Sequence, residues 1–143
     1  MTPARGRALD PILDKAVSRG RELLLAEPDY EVVLADKPWL PRVDWTRKPI
    51  TSSWAYWSWR RTTRARDKPV IRVNRALQAL RRQVSDELLV YLVWHELCHH
   101  LLQGRGHDGE FRRLEALWPD HLVLDNELDT LHERFKIGAA PTR

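Results

Sequence analysis

The stretch Ser85–Gly104, SDELLVYLVWHELCHHLLQG, decides the fold of this chain. Ser85 is a residue type that caps helix N-termini. Asp86 and Glu87 follow in the first turn, where the helix dipole favours carboxylates. Leu88, Leu89, Val90, Leu92, Val93, Trp94, Leu97, Leu101 and Leu102 then put apolar groups on most sides of the cylinder. The spacing predicts a helix from about Asp86 to Gln103 that is central and buried. Gly104 is placed to end it.

Within that apolar helix lies His95-Glu96-Leu97-Cys98-His99. Two histidines four apart share one helical face, with Cβ atoms about 5–6 Å apart. That separation suits two imidazoles on one tetrahedral Zn²⁺. Glu96 is adjacent and turns toward the same cavity, where it can hold a metal-bound water without itself being a ligand. Unpaired polar groups inside a core cost several kcal/mol, so two His and a Glu in such a helix need a reason to be there. The bland alternative is a pair of satisfied core histidines beside a surface glutamate.

A catalytic zinc takes a third protein ligand and keeps one position open. Gly104-Arg105-Gly106 can turn the chain back, and His107 follows as the natural third ligand; Glu127 and Glu110 are its rivals. His100 points about 100° away from His99 around the helix. His121 and His132 read as surface residues, and Cys98 reads as packing. Tyr56, Tyr91, His100 and His121 are candidates to assist an oxyanion. Asp125, or another carboxylate, is a candidate to orient a ligand histidine.

Working outward, Asp10-Pro11 opens an N-terminal helix of about residues 10–27, with Leu9, Ile12, Leu13, Ala16, Val17, Leu23 and Leu24 at helical spacing. Tyr30–Leu34 reads as a short strand. Pro38, Pro41 and Pro49, with Trp39 and Trp45 between them, read as irregular structure or an edge strand. Ser53–Arg60 and Val70–Val73 read as strands of an antiparallel hairpin joined by a polar connection over Arg61–Lys68. Period-two alternation puts Trp57 and Trp59 on one face, and Trp54, Tyr56 and Ser58 on the other. Asn74 caps a turn of helix over Ala76–Leu80. After the central helix, Asp108 caps a helix whose stripe is Phe111, Leu114, Leu117 and Trp118, stopped by Pro119. A last helix spans about residues 121–135, with Leu124, Leu128, Leu131 and Phe135 inward, and residues 136–143 form a loose tail. The expected class is α+β: one small domain over 1–143, its core at about 53–119, with a short antiparallel sheet or hairpin packed on the central helix and helices flanking it.

Composition narrows the setting. The chain has 143 residues, 43% hydrophobic and 31% charged, an ordinary globular balance for one domain. The nearly apolar run Leu88–Trp94 is far too short to cross a bilayer, so no membrane role is expected. Met1–Asp10 has two Arg but no apolar stretch behind them, so no secretory signal is expected. The lone Cys98 excludes an internal disulfide and a cysteine-paired zinc ribbon, and a cytoplasmic location is the simplest fit. The formal charge of +4 is segregated. Residues 42–82 carry twelve basic and two acidic side chains, while 83–143 carry six basic and eleven acidic ones. Trp54, Tyr56, Trp57 and Trp59 stand beside Arg60, Arg61, Arg64, Arg66 and Lys68, a mixture that can stack bases and neutralise phosphates. The same block serves equally as a solvated face over core aromatics.

The stretch HELCHHLLQGRGHDGEFRRLEALWP, residues 95–119, resembles the SprT-like and YgjP-type zinc metallopeptidases. The resemblance rests on an HExxH helix, a nearby third histidine, and a small residue and Phe opening an amphipathic helix. It extends upstream to Tyr56-Trp57-Ser58-Trp59, Val70-Ile71-Arg72-Val73-Asn74 and the apolar run into the motif, covering roughly residues 53–119. It implies that His95, His99 and His107 hold Zn²⁺, that Glu96 is the general base, and that a protein or peptide is the substrate, cut internally more readily than from an end. It also implies a zincin-like fold and a DNA association through the basic Arg60–Arg75 region. The chain departs from the SprT pattern in lacking the cysteine ribbon, and its eight-position step from His99 to His107 falls between the two branches. A different class of reading makes the chain a nucleic-acid-associated module with a structural zinc and no peptidase activity; four protein ligands instead of three plus water would mark it. A bare interaction protein would hold no metal.

Overall fold

The computed structural model describes residues 9–27, 40–58, 69–80, 84–102 and 109–137. Its elements run α1 (Asp10–Leu25), β1 (Arg42–Trp45), β2 (Ala55–Ser58), β3 (Val70–Val73), α2 (Ala76–Ala79), α3 (Asp86–Leu101), α4 (Gly109–Glu115) and α5 (His121–Phe135). The α+β class expected from the sequence is what the chain adopts, with α3 at its centre. The expected strand over Tyr30–Leu34, Asp108 and the connection Arg61–Lys68 lie outside the described residues.

Helix α3 starts where the sequence places it. The Ser85 side chain accepts a hydrogen bond from the Leu88 N–H at 3.1 Å, satisfying one of the free donors of the first turn. Ten of its residues are buried, from Leu88 through Trp94 and from Glu96 through Cys98, because α1, the sheet, α4 and α5 all pack against it. Helix α1 contributes Ile12, Leu13, Ala16, Val17 and Leu24 to that core. Asp10 is its first helical residue rather than its cap; Leu9 holds the capping position with no side-chain bond.

The sheet has order β1-β3-β2. The antiparallel pair expected from the sequence is β2–β3, with Trp57 opposite Ile71. The sheet as a whole is mixed, because β1 joins the other edge of β3 in parallel, Val43 opposite Ile71. Val43, Trp45, Ala55, Trp57, Ile71 and Val73 therefore share one face, toward α3, and all are buried or half-buried. Arg42, Asp44, Tyr56 and Ser58 lie exposed on the other. Trp54 departs from the expected alternation: it precedes the strand and is buried.

Asn74 ties this layer together. It is 0% exposed, and its amide is fully satisfied. Oδ1 accepts from the Ile50 and Ala76 N–H groups, and Nδ2 donates to the Ile50 and Ser53 carbonyls. One side chain thus meets the first N–H of α2, although Arg75 rather than Asn74 holds the capping position, and also pins the 50–53 loop that leads into β2. Helix α4 ends at Glu115 rather than running to Trp118. Leu117 and Trp118 close tighter turns onto the Leu114 and Glu115 carbonyls before Pro119. Helix α5 has the expected bounds, with Leu124 and Leu131 buried.

Candidate metal centre

The last two turns of α3 carry the motif. The His95 and His99 rings lie side by side, centroids 5.3 Å apart and planes at 76°. Phe111, 1% exposed, backs both of them, at 5.0 Å from His95 and 4.4 Å from His99. The opening of α4 is thus an apolar wall behind the two imidazoles. A cation held here would also meet the negative end of the α3 dipole.

Glu96 is 4% exposed, and its Oε2 lies 3.8 Å from His95 Nε2. Burial lifts its carboxyl to about 6; the charge of His95 and a hydrogen bond from the Trp57 backbone N–H work in the opposite direction, and Glu115 adds to the rise. The Trp57 N–H is available for this role by strand geometry. The Trp54 carbonyl accepts from the Asn74 N–H at 2.8 Å, so Trp54, Tyr56 and Ser58 exchange bonds with β3. Ala55 and Trp57 then point their amides off the open edge of β2, toward the site.

On its other side, His95 Nδ1 is hydrogen-bonded to a Glu115 carboxylate oxygen. Burial disfavours the His95 cation, but the bond to Glu115 and the charges of Glu96, Glu115 and Asp125 outweigh it and raise its pKa. The Asp125 Oδ1 accepts from the Tyr91 hydroxyl at 2.8 Å, and its charge also acts on His95. Glu115 went unnoticed in the sequence. The signal was a carboxylate four residues after Phe111, on the inward stripe of an amphipathic helix.

Among the oxyanion candidates, Tyr91 is buried and committed to Asp125, and burial pushes its hydroxyl pKa up. Tyr56 lies on the sheet face turned away from α3, and His121 Nδ1 lies 3.2 Å from the Trp118 carbonyl. His100 stays beside the site, where its Nδ1 accepts from the Trp57 indole N–H at 3.3 Å and burial lowers its pKa. Cys98 is packing, as expected: it is 0% exposed, and burial pushes its thiol up.

His107 lies outside the described residues. Among the described residues, no group of three His, Cys, Asp or Glu is arranged to hold a metal ion. Of the rival third ligands, Glu110 is exposed on α4 and Glu127 is half-buried on α5. Also among the described residues, no helix is long and apolar enough to cross a membrane.

The fold is that of a known metallopeptidase structure. The chain superposes on the metallopeptidase zymogen abylysin of Pyrococcus abyssi with a TM-score of 0.53, covering 90% of this chain and 99% of that one at 15% identity. No protein-family profile matches the chain. No curated protein matches it either.

Proposed function

We propose that the chain is a zinc-dependent metallopeptidase in which His95, His99 and His107 hold the metal and Glu96 is the general base. The observation that carries this reading is the approach of the buried Glu96 carboxylate to within 3.8 Å of His95 Nε2, with the His99 ring 5.3 Å from that of His95. The donor set fits zinc: two imidazoles at helical spacing, one of them with its Nδ1 tied to a carboxylate. The likeness of fold to a metallopeptidase zymogen points the same way.

Zinc held by these histidines would supply a Lewis acid for the scissile carbonyl and an acidified water, with a pKa of about 7. Glu96 would take that water's proton and hand it to the leaving amine. A carboxyl lifted to about 6 is suited to that exchange near neutral pH. The outward backbone groups of β2 that Glu96 does not engage take a substrate segment as an added strand, which asks little of the substrate's side chains and favours internal cleavage. In motif, the chain resembles the SprT-like and YgjP-type metallopeptidases.

The test is Glu96→Gln in the zinc-loaded protein, assayed on an unfolded protein substrate. Zinc content should stay at one per chain while hydrolysis disappears. Undiminished turnover would remove Glu96 from the chemistry, and a zinc-free wild type would remove the enzyme.

A DNA-associated setting for the same peptidase draws on the outer sheet face, where Arg42, Tyr56 and Arg72 are presented and Asp44 pairs with Arg42 at 3.4 Å. Single-stranded DNA binding that is lost with added salt would support it; no binding at low salt would end it.

A further inference from the structure

We propose that Glu115 is the positioning residue of this site: it fixes the tautomer and orientation of His95, and so sets how tightly the metal is held. The proposal rests on the zinc reading above and adds a residue that the motif does not contain.

A carboxylate accepts hydrogen bonds and does not donate them, so the bond between Glu115 and His95 Nδ1 places the imidazole proton on Nδ1. In the neutral ring that leaves the lone pair on Nε2, the nitrogen facing Glu96. Without such a partner the ring is free to protonate Nε2 and to swing about its side-chain torsions. Glu115 therefore selects the one form of His95 that can serve as a ligand on the side where Glu96 stands.

Glu115 is itself held. The indole N–H of Trp94, the residue preceding His95, donates to the Glu115 backbone carbonyl at 3.3 Å. Trp94 is wholly buried and stacks on Trp118, centroids 5.5 Å apart. Two consecutive residues of α3 thus grip one residue of α4, one by its backbone and one by its carboxylate. The same ring geometry argues against Glu115 as a third ligand. It occupies the Nδ1 side of His95, whereas Nε2 faces the opposite side of the ring, so one ion cannot take both.

The experiment compares wild type with Glu115→Gln, Glu115→Ala and Asp125→Asn. Zinc affinity is measured by competition with a chromophoric chelator, and the visible spectrum of the cobalt-substituted protein is recorded. Glu115→Ala should bind zinc about 10–100-fold more weakly and shift the cobalt bands. Glu115→Gln keeps an acceptor oxygen of the same shape and should recover part of that loss. It also serves if the alanine variant does not fold. Asp125→Asn removes a nearby negative charge without touching Nδ1 and should weaken zinc far less. Nitrogen chemical shifts of His95 in the metal-free chain, taken above neutral pH, should report a proton on Nδ1 in the wild type. Unchanged zinc affinity in both Glu115 variants, or an equal loss in Asp125→Asn, would overturn the proposal. So would a wild-type ring protonated on Nε2. A wild type protonated on Nδ1 that binds no zinc would sink the peptidase reading while leaving the Glu115–His95 bond established.

Discussion

The backbone N–H of Trp57, on the open edge of β2, is hydrogen-bonded to the carboxylate of Glu96 on α3. The sheet edge and the Glu96 carboxylate are therefore one unit. A strand end that would otherwise leave an amide unpaired instead steadies a buried acid, and the acid instead of water satisfies the amide.

Burying Glu96 carries a stability cost that depends on pH. Its folded-state pKa of about 6 lies above the ordinary 4.5, so the folded chain binds the proton more tightly than the unfolded chain. Stability is then fully present below 4.5, falls as pH rises through the window from 4.5 to 6, and levels off above it. In metal-free protein, Glu96→Gln escapes this loss. Its stability relative to wild type should rise by about 2 kcal/mol between acid and neutral pH, the equivalent of the shift. Denaturant unfolding at a series of pH values checks it, and a difference that does not vary with pH would refute the assigned shift.

The indole of Trp57 makes a separate bond, to His100. Trp57→Phe removes that donor but keeps the backbone N–H that meets Glu96. The variant should lose about 1 kcal/mol of stability and keep its full zinc content. Loss of zinc in a folded Trp57→Phe protein would mean that the indole supports the ligands directly, which the observed bonds do not provide for.

Asn74 is the polar keystone of the sheet. Asn74→Ala deletes four hydrogen bonds inside the core and strands the Ile50 and Ser53 carbonyls and the Ile50 and Ala76 N–H groups. The expected loss is about 3 kcal/mol or more, read as a lowered urea midpoint. A loss below about 1 kcal/mol would show that water replaces the amide without penalty.

How far the sequence could be read follows from which signals are local. Helix α3 was legible because Ser85, the acidic first turn and an apolar run all agree within one segment. The β2–β3 pair was legible because both segments are β-rich and close in sequence. The parallel docking of β1 was not: a four-residue strand beside Pro38 and Pro41 has no pairing signal of its own, and its partner lies beyond β2. At the site, the spacing of His95, Glu96 and His99 carried its own geometry. Glu115 did not, since its importance comes from α4 packing across α3 with Phe111 against both rings, a tertiary fact.

The third metal donor tests the division between what the motif implies and what the fold supplies. His107 follows Gly104 and Gly106 in the sequence, and it is the third ligand of the proposed set. Glu127 is half-buried on α5, but it does not group with His95 and His99 among the described residues. After a limited chelator challenge, His107→Ala should retain well under one zinc per chain, while Glu127→Ala should match wild type. The reverse pattern would move the third donor to α5 and make the site a two-histidine, one-carboxylate centre. Retention in both single variants would point to a ligand set that includes neither, and the cobalt spectrum would then report how many nitrogen donors remain.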